Sequence, residues 1–167
     1  MAYLSIDAFL ENPILQAVRL DSPEMRPKFE AAFVRELEQG HATTQTTFEY
    51  ANFLIRSNKS DVILGLRLFE DLLSQDDQGD AKRDYLYFLA IGNIKLKVNY
   101  DKALSYVDAI LRVEPENKQA EELRTVICNR MYRDGLIGGA MLAGLAMFGG
   151  AAVAAGLAFL ARSKRSK

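Results

Sequence analysis

The chain has 167 residues, a formal net charge of −1, one cysteine and one histidine. A single cysteine excludes an internal disulfide, and a mildly acidic balance argues against nucleic acid as a partner. The balance hides an asymmetry: the last six residues carry +4, which leaves −5 on residues 1–161. Met1-Ala2-Tyr3 lacks the basic region of a signal peptide and the apolar stretch after it is broken by Asp7 and Glu11, so a cytosolic head is expected.

In chain order, residues 1–20 read as an arm. Ile6, Phe9 and Leu10 have helical spacing, Asn12-Pro13 interrupts them, and Ile14, Leu15 and Val18 resume the pattern. Residues 21–134 then read as one domain. Ser22-Pro23 and Pro27 are helix-start signals, Phe29, Phe33 and Leu37 recur on one face, and Gly40 is the terminator. His41 opens a polar, threonine-rich loop, after which Phe48 to Ile55 begins a second helix, stopped near Ser57-Asn58. Further helices are expected over Asp61 to Ser74, Arg83 to Lys97, Tyr100 to Val113, where Pro115 ends the pattern, and Glu116 to Tyr132. No segment alternates with period two, so the head is expected to be all-α.

Gly135 to Ala161 is a run of 27 residues without a charge, flanked by Arg130 and Arg133 on one side and Arg162, Lys164 and Arg165 on the other. At about 1.5 Å per helical residue it exceeds the ~30 Å hydrocarbon core of a bilayer. It reads as a transmembrane tail anchor that keeps the N-terminus in the cytosol, with residues 162–167 as a basic tip. Seven Gly and nine Ala make the span only moderately hydrophobic. That property, with Arg162, Lys164, Arg165 and Lys167 as a targeting tip, suits the mitochondrial outer membrane. The stripes Gly135, Gly139, Ala143 and Ala146, Gly150, Ala154, Ala158 allow a homo-oligomer through the tail, or a membrane-shaping role.

The head contains an internal repeat. Gly65, Leu66, Phe69, Leu72 and Leu73 match Ala103, Leu104, Val107, Ile110 and Leu111 at an offset of 38, and Tyr50, Phe53 and Leu54 match Leu86, Leu89 and Ala90 at an offset of 36. Helix pairs recurring at this period point to a tetratricopeptide-like solenoid of two repeats, with the helices at Lys28–Glu38 and Glu116–Tyr132 covering its ends. Small Ala90 and Ala103 mark a close helix approach. The first helix of each pair lines the concave side of such a stack, which places Phe48, Asn52 and Ile55, then Tyr87, Ile91, Ile94 and Lys95, on a partly apolar groove suited to a peptide or helix.

An enzyme is not expected. His41 lies in a polar loop, Cys128 on a capping helix, and Asp76, Asp77 and Asp80 lack calcium-loop spacing, so no catalytic pair, metal site or cofactor is indicated.

Thr47-Phe48-Glu49-Tyr50-Ala51, Leu54-Ile55-Arg56-Ser57, Arg83-Asp84-Tyr85, Leu89-Ala90-Ile91-Gly92-Asn93, Tyr100-Asp101-Lys102-Ala103-Leu104, Glu114-Pro115-Glu116-Asn117 and Arg133-Asp134-Gly135-Leu136 closely resemble the mitochondrial fission 1 protein family, in register from about Phe29 to the C-terminus apart from one-residue length changes near Asn58 and Val98. The resemblance implies a six-helix cytosolic domain with two tetratricopeptide-like repeats, tail-anchored in the mitochondrial outer membrane and the peroxisomal membrane. It implies an adaptor for mitochondrial and peroxisome fission that recruits a dynamin-related GTPase directly or through adaptors. Alternatively, it implies a regulator of mitophagy or organelle contacts through Rab GTPase-activating partners. Carried over by position, Tyr50, Leu54, Phe88, Ile91 and Ile94 belong to the partner groove or its support. The chain departs from the family pattern at Ser57-Asn58-Lys59, one residue shorter and without a tyrosine. It departs again at Asn52, where an aromatic is common, and in its longer arm with Pro13 and Pro23.

Overall fold

The computed structural model describes residues 23–75, 79, 81–97 and 99–135. The arm 1–20, Ser22, the charge-free run beyond Gly135 and the basic tip lie outside these residues. Every described element is helical: a 3-10 turn Pro23–Met25, then α1 (Arg26–Glu38), α2 (Thr44–Arg56), α3 (Lys59–Gln75), α4 (Lys82–Leu96), α5 (Tyr100–Val113) and α6 (Lys118–Arg133). Among the described residues no helix is long and apolar enough to cross a membrane.

The helix ends follow from local chemistry. Pro27 occupies the first turn of α1, where its missing N–H costs nothing. The chain leaves α1 through Gly40 at φ +126°. The start of α2 differs from the sequence reading: the threonine run is the helix's first turn, not a loop. The Thr43 hydroxyl accepts the Thr46 N–H at 3.3 Å, and Glu36 of α1 takes the Thr43 N–H at 2.8 Å and the Thr46 hydroxyl at 2.8 Å. These bonds, that from the Thr43 N–H foremost, hold the Glu36 carboxyl below its usual pKa. Asn117 caps α6 by accepting the Ala120 N–H at 3.0 Å, so this helix begins at Lys118 and Pro115-Glu116 forms the turn before it.

The helices fall into two compact units, Met1–Asn99 and Tyr100–Lys167. In the first, α1 runs antiparallel along α2, with Phe29 stacked on Phe53 at 5.5 Å between ring centroids and Phe33 tilted against Tyr50 at 5.1 Å. Helix α3 returns antiparallel to α2, and Gly65 permits the close approach. A β-carbon there would stand 3.0 Å from the Ala51 carbonyl oxygen and 3.0 Å from Leu54 Cβ. Helix α4 is antiparallel to α3 and parallel to α2, with Phe88 stacked on Phe69 at 5.3 Å. A β-carbon on Gly92 would meet Ile55 Cδ1 and Leu66 Cδ2 at 2.7 Å. Leu54, Val62, Phe69 and Leu89 are fully enclosed in this core.

In the second unit α5 and α6 are antiparallel. Arg124 Nε bonds Asp108 Oδ1 at 3.0 Å, and the Tyr100 hydroxyl donates to Asp134 Oδ2 at 2.6 Å. Ala120, Leu123, Ile127 and Met131 of α6 are buried, as their spacing predicts. Gly135, at φ +73°, ends α6.

The sequence repeat reappears as a burial pattern. Gly65, Phe69 and Leu72 are buried while Leu66 and Leu73 are half-buried, and Ala103, Val107 and Ile110 are buried while Leu104 and Leu111 are half-buried. Ala90 and Ala103 are each fully enclosed.

Candidate partner-binding face

The face in question lies along α2 and α4, which run side by side in the first unit. Helix α2 buries Tyr50, Ala51, Phe53, Leu54 and Ile55. Toward solvent it keeps a stripe at helical spacing, exposed Gln45 and Glu49 followed by half-buried Asn52 and Arg56, with half-buried Phe48 at its edge. Helix α4 buries eight residues, and its half-open stripe is Asp84, Tyr87, Phe88 and Lys95. Two contacts join the stripes. At one end Phe48 meets Phe88 edge-on at 5.7 Å, and Tyr87 adds an edge contact to Phe88 at 5.8 Å. At the other end Lys95 Nζ donates to the carbonyls of Ile55 at 3.1 Å and Ser57 at 2.8 Å.

The Lys95 bonds have an electrostatic logic. The last carbonyls of α2 have no intrahelical donor and carry the negative end of the helix dipole, so a cation there satisfies both needs. Burial holds the Lys95 pKa below the usual lysine value.

The ten residues assigned to the groove from sequence occupy two depths. Phe48, Asn52, Tyr87, Phe88 and Lys95 are half-buried and reach the face. Tyr50, Leu54, Ile55, Ile91 and Ile94 are buried, at 5% exposure or less. Tyr50 turns toward α1, with its ring against Phe33, and burial raises its pKa. Leu54 turns toward Gly65 of α3. Ile55 lies against Gly92 and offers its carbonyl to Lys95. The structure thus brings Phe48, Tyr87 and Phe88 together at one end of the face and Ile55 and Lys95 at the other. Tyr50 and Leu54 face other helices.

One polar cluster escaped the sequence reading. Asp61, 5% exposed, receives the Ser57 hydroxyl at 2.5 Å, Asn58 Nδ2 at 2.8 Å and Arg26 Nη1 at 3.2 Å. Asn58 in turn accepts the Asp61 N–H at 3.1 Å. The cluster pins the α2–α3 corner, the point where the chain is shorter than the family pattern. Asn58 placed three residues before Asp61, at the head of a helix, was the available signal.

Among the described residues no group of His, Cys, Asp and Glu is placed to hold a metal ion. Cys128 is buried in α6, and burial raises its pKa. His41 is exposed.

Comparison with known proteins gives this geometry a context. Residues 83–136 match the family described as Fis1 C-terminal tetratricopeptide repeat. The chain is 46% identical to the mitochondrial fission 1 protein of Bos taurus over 138 residues, 82% of this chain and 88% of that protein. It is 45% identical to that of Homo sapiens over the same shares. Among solved structures it is similar to yeast Fis1 in complex with an Mdv1 fragment containing N-terminal extension and coiled coil domains. The TM-score is 0.66 at 29% identity, covering 74% of this chain and 94% of that one.

Proposed function

The chain belongs to the mitochondrial fission 1 protein family, and we propose that it is a membrane-anchored adaptor whose α2–α4 face holds a segment of the organelle-fission machinery. The observation that carries this reading is the likeness to yeast Fis1, a relative solved with a fragment of Mdv1. The chain is thereby an adaptor of a non-enzymatic family. Phe48, Tyr87 and Phe88 supply aromatic surface, Asn52 and Lys95 supply polarity, and buried Tyr50, Leu54, Ile55, Ile91 and Ile94 support them from beneath. Such an aromatic patch rimmed by polar groups is the composition of a recognition site for a protein segment.

The segment comes from a dynamin-related GTPase or from an adaptor that carries it. The anchor is Gly135 to Ala161, with Arg162, Lys164, Arg165 and Lys167 steering the tail to the outer membranes of mitochondria and to peroxisomes. The Gly and Ala stripes of the tail favour association of copies.

The test uses the full chain in cells. Changing Tyr87 and Phe88 together to alanine is expected to abolish recruitment of the dynamin-related GTPase to mitochondria while the chain itself stays in the membrane fraction. Unchanged recruitment overturns the assignment of the face. Loss of Rab GTPase-activating proteins instead, with the GTPase retained, would move the chain to mitophagy and contact-site control.

A further inference from the structure

Asn52 stands midway along α2 between the two junctions of the face. Phe48, one turn before it, meets Phe88, and Ile55, one turn after it, gives its carbonyl to Lys95. By this parallel register the α4 residues opposite Asn52 are Ile91 and Gly92, which offer no side-chain donor. Asn52 Oδ1 is fully buried and receives no hydrogen bond, alone in this among the buried side-chain nitrogen and oxygen atoms of the described residues. The asparagine of α4 behaves otherwise: Asn93 is 4% exposed and spends its amide on the Leu89 carbonyl at 2.8 Å.

A buried amide oxygen without a donor weakens the fold relative to an apolar side chain of the same shape. A buried water would need two to four polar partners to settle at this atom. Lys95 is already committed to two backbone carbonyls.

We propose that Asn52 is the residue by which the α2–α4 face selects its partner, accepting a hydrogen bond from a long side-chain donor, Arg, Lys or Gln, set within the apolar stripe of the bound segment. The proposal rests on the reading of this face as the partner groove. The oxygen is sealed from solvent, so its donor has to enter between the two helices. A long side chain does so, and a backbone N–H held against the surface does not. Segments with an unbroken apolar stripe leave the acceptor orphaned and are discriminated against, since a site built around a buried acceptor rejects ligands that cannot supply the donor.

The experiment uses the full chain in detergent micelles and a phage-displayed library of helix-biased peptides as probe. Peptides selected on the wild-type chain are expected to carry Arg, Lys or Gln at one fixed position and to bind Asn52→Leu about tenfold more weakly. The same variant, free of peptide, is expected to melt roughly 2–8 °C higher, because an orphaned polar atom is gone. Opposite signs on stability and binding are what a merely structural asparagine does not produce. A lower melting temperature shows the acceptor already satisfied and overturns the proposal, as do peptides that bind both chains equally. Hydrogen-exchange mapping separates this from failure of the groove reading. Peptides that protect amides away from Phe48–Ser57 and Tyr87–Lys95 refute that reading and the role of Asn52 with it.

Discussion

Replacing Gly65 by alanine sets two effects of known size against each other. Glycine inside a helix is about 0.8–1.0 kcal/mol worse than alanine, so on propensity alone the change stabilises α3. The new methyl carbon would, however, stand 3.0 Å from the Ala51 carbonyl oxygen, 3.0 Å from Leu54 Cβ and 3.2 Å from the Ile55 N. Two of these are backbone atoms, which yield only if α2 and α3 separate as bodies. Overpacking of a core costs about 1–3 kcal/mol, and a backbone obstacle belongs in the upper half of that range. The net is a loss of about 1–2 kcal/mol, or roughly 2–8 °C in melting temperature for a chain of this size. Thermal denaturation of the full chain followed by circular dichroism at 222 nm reads it directly. Gly92→Ala is the control: its methyl would meet Ile55 Cδ1 and Leu66 Cδ2 at 2.7 Å, but both are ends of flexible side chains that swing aside. A Gly65→Ala chain as stable as the wild type, or less perturbed than Gly92→Ala, would refute the argument that α2 and α3 touch backbone to backbone.

Thr43→Ala removes the cap of α2 and is expected to lower stability by about 1 kcal/mol in urea denaturation, with the amides of Thr46 and Thr47 exchanging faster. Burial, and then the bond to Asp134, push the Tyr100 pKa up to about 12. The folded value lies above the unfolded one, so this contribution is complete below pH 10 and is lost as pH rises toward 12. An ultraviolet titration should show a tyrosine component ionising near pH 12 that Tyr100→Phe removes. Cys128 is buried with its pKa raised, so a thiol reagent should leave it unmodified in the native chain and label it fully in denaturant.

The helices were legible because their signals are local. Apolar residues recur every three to four positions, and Gly40 and Pro115 break the pattern where α1 and α5 end. The start of α2 was not legible, since the threonine run becomes helical through Glu36, a residue on another helix. The face was readable in part. Repeat register carries Phe48, Asn52 and Lys95 to one side because helices of equivalent position share a direction. What register lacks is the number of neighbours. Helix α2 is flanked by α1, α3 and α4, so an apolar residue such as Tyr50 or Leu54 announces burial without saying against which helix. The bonds of Lys95 go to backbone carbonyls, which leave no trace in the residue types at positions 55 and 57. Asp61 looked like an ordinary first-turn carboxylate, and only the fold brings Arg26 to it.

Helix α1 holds its place differently from the helices beneath it. None of its residues is buried, and its contacts among the described residues include two ring pairs, the bonds of Glu36 to Thr43 and Thr46, and the pair between Arg26 and Asp61. Stability within a domain is uneven, and elements with little enclosed apolar surface open at free energies well below that of global unfolding. Helix α1 is therefore expected to open ahead of the helices beneath it, which faster amide exchange over Arg26–Glu38 than over α2 would show. When it lifts, Tyr50 and Phe53 are uncovered, while Asp61 keeps Ser57 and Asn58 and the corner between α2 and α3 stays closed. The first unit can thus expose a second apolar surface, on the side of α2 away from α4, without melting.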